Sequence, residues 1–241
     1  MVTLTIDERQ VQAEEGKVIL EVARENNIDI PALCYHESVA SYGACRRWLA
    51  EMITHGRERL VASCLYPVEE GLIVKTNSER VISIRRMVME LLLARCPDSE
   101  VIQDLAKQMG VERTVFKLDE DNKKCILCAL CVRACQEVVG VSAISLVNRG
   151  VDRQMATPFY ADSDVCIGCG SCAYICPTNA ITLEDIGDTR FIKWPNSQME
   201  FKLKKCKSCG NYWAPQRQIE YIAKISGVAL EEFDNCPDCR E

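Results

Sequence analysis

Apolar and polar residues alternate at the beginning of the chain. Residues 2–6 and 10–13 follow this alternation, and a short polar segment separates them. A period of two places every second side chain on one face of a strand, so the pattern predicts a β-hairpin. Between residues 16 and 26, a denser run of apolar residues predicts a helix instead.

Three later segments also have the pattern of helices. Residues 77–79 offer an N-cap, and apolar residues follow at helical spacing, which predicts an amphipathic helix that ends near Cys96. Residues 98–110 predict a second helix in the same region. Near the end of the chain, residues 215–225 place three isoleucines on one face and predict another helix.

The composition is that of a folded chain rather than a disordered one. Hydrophobic residues make up 48% of the 241 positions, and charged residues make up 27%. The formal net charge is −6. A nucleic-acid binder usually has a basic excess, so this class of function is disfavoured.

The chain contains sixteen cysteines, which indicates metal binding or disulfides. Its first residues lack the basic segment and apolar stretch of a signal peptide, and no apolar run approaches the roughly 18 residues that span a bilayer. We therefore expect a cytoplasmic protein. In a reducing compartment, cysteines at this density are more often metal ligands than disulfide partners.

Two cysteine runs in the middle of the chain share the spacing C-x2-C-x2-C-x3-C, and Pro177 follows the second run. This is the spacing of bacterial two-cluster ferredoxins, in which the fourth cysteine of each run ligates the other cluster. We expect that fourth cysteine to begin a helix. The predicted [4Fe–4S] ligands are Cys125, Cys128, Cys131 and Cys176 for the first cluster, and Cys166, Cys169, Cys172 and Cys135 for the second. A pair of zinc sites is disfavoured, because zinc sites usually use CxxC pairs that lie farther apart.

The residues around these runs resemble a known group of redox proteins. The segments 131–150, 157–159 and 176–178 are similar to the ferredoxin-type segment of three groups. These are the iron–sulfur subunits of NAD-linked hydrogenases, the largest peripheral-arm subunit of respiratory complex I, and the N-terminal regions of [FeFe]-hydrogenases. The resemblance covers about residues 1 to 185, and the two cysteine runs are its most specific part.

The resemblance and the cysteine spacing together predict an α+β chain of four parts. These parts are a β-grasp plant-type ferredoxin-like domain with a degenerate cluster site (1–77), a helical linker (78–117), a two-cluster bacterial ferredoxin-like domain (118–190) and a small zinc-ribbon-like domain (191–241).

The N-terminal ferredoxin-like domain has an incomplete ligand set. In the hydrogenase and complex I version, the cluster cysteines follow C-x10-C-x2-C and a distant fourth. Cys34 and Cys45 have the ten-residue spacing and Cys64 supplies the distant position, but Trp48 occupies the third. An indole has no lone pair for a metal. Two interpretations stay open: a [2Fe–2S] cluster with a substitute ligand, or a retained fold without its cluster, in which Trp48 fills the space. The second is favoured.

Three other residues are candidate ligands that the pattern disfavours. His36 is more simply a loop histidine with a local hydrogen bond, and His55 lies in a predicted hairpin turn. Longer relatives carry a histidine and three cysteines after the helix that ends near Cys96, for another cubane. This chain has only Cys96 there, so we expect a buried, inert thiol.

Two CxxC pairs occur near the end of the chain, separated by 26 residues. They are Cys206 and Cys209, then Cys236 and Cys239. Four thiolates in this arrangement favour tetrahedral ligation of zinc or a single iron, and structural Zn²⁺ is favoured over an Fe–S cluster. Tyr212 and Trp213, which follow the first pair, could form a partner-docking edge or a miniature core over the metal, and the core is favoured.

No GxGxxG, P-loop or nucleophile–base arrangement is visible, so the chain itself is not expected to bind a flavin or a nucleotide. The hypothesis is an iron–sulfur electron-transfer subunit of a soluble multi-subunit oxidoreductase. Its expected partners are a flavin- and NAD(P)-binding subunit, a catalytic subunit of a hydrogenase, formate dehydrogenase or transhydrogenase, and free ferredoxin. The alternatives are a non-redox assembly scaffold and a nucleic-acid-binding Fe–S or zinc-ribbon regulator.

Overall fold

The computed structural model describes residues 1–30, 32–47, 49–54, 56–120 and 124–240. The chain divides into two compact units, Met1–Ala129 and Leu130–Glu241. Among the described residues, no helix combines the length and the apolar character needed to cross a membrane.

The first unit contains a mixed five-stranded sheet with the order β2-β1-β5-β3-β4. Its strands are β1 (Val2–Ile6), β2 (Arg9–Ala13), β3 (Leu49–Thr54), β4 (Arg57–Ala62) and β5 (Ile73–Lys75). Strands β1 and β5 are parallel, and the other neighbours are antiparallel. The predicted hairpin is confirmed: Val2 pairs with Ala13 and Ile6 with Arg9, which turns Leu4, Ile6, Val11 and Ala13 into the core.

Helix α1 (Ile19–Glu25) is shorter than the predicted segment. The Glu21 carboxylate accepts a hydrogen bond from the backbone N–H of Val18 at 3.1 Å and so satisfies a donor at the helix start. The N–H groups of Ile19 and Leu20 donate to backbone carbonyls of residues 66 and 63, each at 3.0 Å. These bonds attach the helix start to the chain segment that carries Cys64.

Helices α2 (Glu79–Arg95) and α3 (Glu100–Gln108) confirm the two helices predicted for this region. The hydroxyl of Ser78 accepts from the Val81 N–H at 3.3 Å, and that of Ser99 accepts from the Ile102 N–H at 3.4 Å. Both are N-caps of the usual kind.

The second unit contains a four-stranded antiparallel sheet with the order β11-β10-β9-β8. The strands of the unit are the pair β6 (Ser145–Val147) and β7 (Gln154–Ala156), and the sheet strands β8 (Thr182–Ile186), β9 (Thr189–Trp194), β10 (Ser197–Lys205) and β11 (Tyr212–Pro215). Its helices are α4 (Leu130–Arg133), α5 (Ser171–Tyr174) and α6 (Gln216–Ser226), and α6 confirms the helix predicted near the chain end.

The predicted boundary between residues 190 and 191 lies inside strand β9. Strand β9 pairs with β8 on one side and with β10 on the other, so one sheet contains residues of both predicted parts. Strand β10 then ends at Lys205, directly before the first C-terminal cysteine. The core of this sheet includes Ile192, Trp194 and Phe201, together with buried cysteines.

The prediction that each fourth cysteine begins a helix is wrong. Cys135 lies in a π-helical turn, Ala134–Val138, which continues α4, and Cys176 follows the end of α5. The third cysteines, Cys131 and Cys172, are the ones inside α4 and α5. The chain therefore turns into each helix one cysteine earlier than expected.

Candidate iron–sulfur and metal sites

Four cysteines of the second unit line one cavity. They are the predicted ligands of the second cluster, Cys135, Cys166, Cys169 and Cys172. Ile144, Ile192 and Trp194 contribute to the apolar wall of the same cavity. The sequence-predicted set is thus gathered at one place, by a loop before α5 and by the helical turn that follows α4.

The loop that carries Cys166 and Cys169 depends on two glycines with left-handed backbone angles. Gly168 has φ +70° and Gly170 has φ +81°. A Cβ atom at Gly168 would meet the Phe201 ring at 2.6 Å, and one at Gly170 would meet Leu183 at 2.3 Å. Strands β8 and β10 therefore approach the loop more closely than any larger residue allows.

A partly exposed ion pair holds this loop in place. Nη1 of Arg190 donates to the carbonyl of Gly168 at 3.2 Å. The same guanidinium donates to both carboxylate oxygens of Asp185, each at 2.8 Å. The bidentate pair fixes the guanidinium and hence the position of the loop.

Backbone N–H groups point at two of the cluster cysteines. The N–H of Ala143 donates to Cys135 Sγ at 3.2 Å, and that of Ala180 donates to Cys176 Sγ at 3.3 Å. Hydrogen bonds to ligand sulfurs stabilise the thiolate form and raise the reduction potential of a bound cluster.

The cavity disfavours bare thiolates. Burial raises the pKa of Cys166 to about 11 and that of Cys172 to about 12, and it also raises the pKa of Cys135. Iron is ligated by thiolates, whose negative charge the apolar walls disfavour. The positive charge of a bound iron core would offset this cost.

One further group in the cavity fits an iron–sulfur cluster. Nε1 of Trp194 is buried and completes no hydrogen bond of standard geometry among the described residues, although it lies close enough to Cys172 to favour the thiolate form there. It lines the cavity beside the four cysteines, where a cluster sulfide or a ligand thiolate would accept a hydrogen bond from it. Four soft ligands, apolar walls and an unused donor together suit such a cluster.

The predicted ligands of the first cluster occupy the loop before α4, α4 itself and the end of α5. Cys125 and Cys128 precede α4, Cys131 lies within it, and Cys176 follows α5. Their grouping as one ligand set stays a prediction from their spacing.

The three N-terminal cysteines are buried, at 1% exposure for Cys34, 5% for Cys45 and 2% for Cys64. The Cys45 N–H donates to Cys34 Sγ at 3.4 Å. The hydrogen bond between the two thiols lowers the pKa of Cys45 to about 6 and raises that of Cys34, while burial raises the pKa of Cys64. Trp48, whose predicted role is to fill the third ligand position, lies outside the described residues.

The disfavoured ligands have local roles where the structure describes them. Nδ1 of His36 accepts a hydrogen bond from the Ser38 N–H at 3.2 Å, as expected for a loop histidine. Cys96 is fully buried, its Sγ donates to the Leu92 carbonyl at 2.9 Å, and burial raises its pKa to about 12. His55 lies outside the described residues.

The four C-terminal cysteines form the most compact thiol cluster among the described residues. Their sulfur atoms all lie within 4.8 Å of one another, and Cys209 Sγ is 3.8 Å from Cys236 Sγ. A tetrahedral ion with metal–sulfur bonds of about 2.3 Å separates its ligand sulfurs by about 3.8 Å. The ligands of a cubane must lie farther apart, because the cluster stands between them. The geometry therefore fits one metal ion.

Backbone hydrogen bonds connect the two C-terminal pairs. The N–H groups of Cys209 and Cys236 donate to Cys206 Sγ at 3.5 and 3.3 Å, and they lower the pKa of Cys206 to about 6. The Lys207 N–H donates to the Asp234 carbonyl at 2.9 Å. The Asp234 carboxylate also pairs with Lys204 at 2.8 Å, and with the Lys207 ammonium.

The predicted miniature core is correct for one of its two residues. Trp213 packs against the buried cluster of Ala214, Ile219, Ala223 and Phe233, whereas Tyr212 is 43% exposed. Sequence reasoning missed Trp194 as a wall of the second cluster cavity and Phe201 as the ring that packs against Gly168. The alternation of buried and exposed residues along β9 and β10 is the signal that would have indicated them.

Comparisons with known families match both halves of the chain. Residues 1–79 match the family model of a 2Fe-2S iron-sulfur cluster binding domain. Residues 124–180 and 165–211 match that of a 4Fe-4S dicluster domain. The chain is thus a mixed α+β protein with both kinds of iron–sulfur domain and a C-terminal cysteine cluster.

Several known proteins are each similar over 75% of the chain. NADP-reducing hydrogenase subunit HndD of Solidesulfovibrio fructosivorans is 35% identical over 212 residues, which cover 36% of that protein. NADPH-Fe(3+) oxidoreductase subunit alpha of Geobacter sulfurreducens is 33% identical, with 24% of its length covered. The mitochondrial NADH-ubiquinone oxidoreductase 78 kDa subunit of Neurospora crassa is 32% identical, with 27% covered. The chain thus spans 24% to 36% of the length of these relatives.

A solved structure, that of an NAD⁺-reducing [NiFe]-hydrogenase in the H₂-reduced state, contains a similar chain. The match has a TM-score of 0.56 and 29% identity, and it covers 65% of this chain and 74% of the other. Together these relatives confirm the resemblance to iron–sulfur subunits of NAD-linked hydrogenases and of complex I.

Proposed function

We propose that the chain is an iron–sulfur electron-transfer subunit of a multi-subunit oxidoreductase. It relays single electrons between a flavin- and NAD(P)-binding partner and a second redox partner, such as a hydrogenase, a formate dehydrogenase or a ferredoxin. The observation that carries this proposal is the cavity in which Cys135, Cys166, Cys169 and Cys172 meet beside the unused donor of Trp194. The relatives named above are, by their names, subunits of NAD(P)-linked oxidoreductases, which supports this proposal. A cytoplasmic setting is part of the proposal and rests on the cysteine usage.

In this function the two middle cysteine runs hold two [4Fe–4S] clusters. Cys125, Cys128, Cys131 and Cys176 hold the first, and the four cysteines that line the cavity hold the second. A bound cubane accepts and donates one electron at a time. The protein around the second site keeps water out with apolar walls, fixes the loop through Arg190, and supplies hydrogen-bond donors to the sulfurs.

The outer parts of the chain have structural roles in this proposal. Residues 1–77 are a β-grasp ferredoxin-like domain, which the mixed sheet with its parallel central pair supports, and their cluster site is degenerate. The C-terminal cysteines bind one Zn²⁺ ion in a zinc-ribbon-like domain. The mutual distances of the four sulfurs support a single ion in place of an Fe–S cluster.

Anaerobic reconstitution of the full chain with iron and sulfide tests the electron-transfer proposal. We expect about eight irons and eight sulfides per chain, with the EPR signals of two reduced cubanes. The variant Cys172→Ser should retain about four irons, because only the second site is damaged. The matched control Cys96→Ala, which removes a buried cysteine outside both ligand sets, should retain all of them. A wild-type content below four irons per chain would contradict the proposal.

A further inference from the structure

A cleft in the first unit has a volume of about 480 Å³ and is lined by three arginines. We call it the arginine cleft. It is lined by Asp29, Arg47, Asn77, Ile82, Arg85, Arg86 and residues 108–110 at the C-terminal end of α3. It lies outside the cysteine sites described above. Its volume is within the range of small-molecule binding sites.

Two of the three guanidiniums are almost fully buried. Arg47 is 4% exposed and Arg85 is 6% exposed, and the Nε–H of each has no hydrogen-bond acceptor among the described residues. Arg85 does donate from Nη2 to the Leu49 carbonyl at 2.8 Å, which fixes its direction. A buried charged donor without an acceptor is costly, since it has lost its water and gained nothing in return.

The two buried arginines also repel each other. Burial and the neighbouring charge of Arg47 lower the pKa of Arg85. Other arginines of α2 have carboxylate partners: Arg80 pairs with Glu51 at 3.2 Å, and Arg95 pairs with Asp119 at 3.6 Å. No such pair is described for the arginines of the cleft within the parts of the chain that the structure covers.

The charges that face the cleft do not balance. Three arginines face a single carboxylate, that of Asp29, which is solvent-exposed. The Cys45 thiol, whose pKa is lowered to about 6, adds a second negative charge close to Arg47. The nearby Asp7 carboxylate is already engaged, because it accepts the Thr76 N–H at 2.7 Å and the Thr76 hydroxyl. The arginine cleft therefore keeps an excess of positive charge, which a phosphate group of charge about −1.5 to −2 near neutral pH would offset.

We propose that the arginine cleft binds a small phosphate-bearing anion, with Arg47 and Arg85 donating to its oxygens. The planar guanidinium fork matches phosphate geometry, and a bound oxygen would satisfy both unused Nε–H groups. Arg86 contributes charge at the exposed side, since its Nε–H already donates to the Met109 carbonyl at 3.2 Å. This site does not depend on the electron-transfer proposal, because none of its residues belongs to a cluster ligand set.

Isothermal titration calorimetry of the reconstituted full chain tests the site, with inorganic phosphate and with ADP at constant ionic strength. We expect saturable binding with a stoichiometry of one. The variant Arg47→Gln should weaken it by about tenfold or more, because a charge-assisted hydrogen bond is lost. Tighter binding of ADP than of phosphate, with the same loss in Arg47→Gln, would indicate a nucleotide as the source. Equal or tighter binding of phosphate itself would indicate the free anion.

The control variant is Arg113→Gln, which removes the same charge from an exposed residue outside the arginine cleft. It should bind phosphate like the wild type. No saturable heat with either compound, or equal affinities for Arg47→Gln and Arg113→Gln, would overturn the proposal.

Thermal unfolding separates binding from a purely structural role of Arg47. Without phosphate, Arg47→Gln should unfold at the same temperature as the wild type or higher, because the repulsion with Arg85 is relieved. Phosphate should raise the midpoint of the wild type and leave that of the variant unchanged. A variant that is destabilised equally with and without phosphate would overturn the proposal.

Discussion

Cys209 Sγ lies 3.8 Å from Cys236 Sγ, although 26 residues separate them along the chain. This is the sulfur–sulfur distance of a tetrahedral site with one metal ion. The hydrogen bonds of the Cys209 and Cys236 N–H groups to Cys206 Sγ hold the two CxxC pairs in that relation. The C-terminal pairs therefore differ in geometry from the predicted second-cluster cysteines, which line a cavity.

The first prediction concerns the metal at this site. The wild-type chain should contain about one equivalent of zinc, and Cys236→Ser should lose it while the iron content stays the same. Elemental analysis of both proteins measures this directly. Cys96→Ala serves as the control, because Cys96 lies in a different unit and should leave both metals in place. Extra inorganic sulfide that disappears in Cys236→Ser would instead indicate an Fe–S cluster here.

A second prediction tests the close packing around the second cluster cavity. Gly168→Ala should lose about half of the bound iron, because its Cβ would meet Phe201 at 2.6 Å and displace the loop that carries Cys166 and Cys169. Colorimetric iron determination and EPR after anaerobic reconstitution measure the loss.

Gly187→Ala is the matched control for this change. Gly187 also has a positive φ, +59°, but a Cβ there would meet nothing within 4 Å. It carries the backbone strain alone, about 1 kcal/mol, and should keep its full iron content. Equal losses in the two variants would show that backbone strain, and not contact with Phe201, is responsible.

Local patterns were sufficient to predict much of this protein. Ser78 and the apolar spacing after it predicted α2, and the period of two predicted the first hairpin, because both depend on neighbours within a few residues. The cysteine spacing predicted which thiols gather at the second cluster cavity. It did not predict that Trp194 of strand β9 lines that cavity, because the cysteine spacing carries no information on how the strands pair. The burial of Arg85 in α2 was also missed, because charged residues are normally expected at the surface and the local sequence does not show which of them are buried.

A third prediction concerns the pH dependence of stability. The pKa of Cys96 is raised to about 12 by burial, above the ordinary thiol value of 9.0 that applies to the unfolded chain. Between these values the unfolded state has lost the proton and the folded state has kept it, so the free energy of unfolding falls as pH rises. The contribution of Cys96 should therefore be complete below about pH 8 and decline above pH 9, by at most about 1.4 kcal/mol per pH unit.

Urea unfolding of the wild type and of Cys96→Ala between pH 7 and 11 measures this contribution. The free energy of unfolding of the wild type should fall relative to that of Cys96→Ala as pH rises. A difference that is independent of pH would mean that the Cys96 thiol titrates normally.

The last prediction concerns the incomplete N-terminal site. Cys34, Cys45 and Cys64 are all buried, and Trp48 stands where the family pattern has the remaining cysteine. Trp48→Cys should therefore allow a [2Fe–2S] cluster to form, adding about two irons and two sulfides per chain to the wild-type content. EPR of the reduced variant should contain a new rhombic signal that the wild type lacks. Trp48→Ala, which removes the indole without supplying a thiolate, is the control and should gain no iron. A wild-type chain that already shows the [2Fe–2S] signal would mean that another residue completes the ligand set.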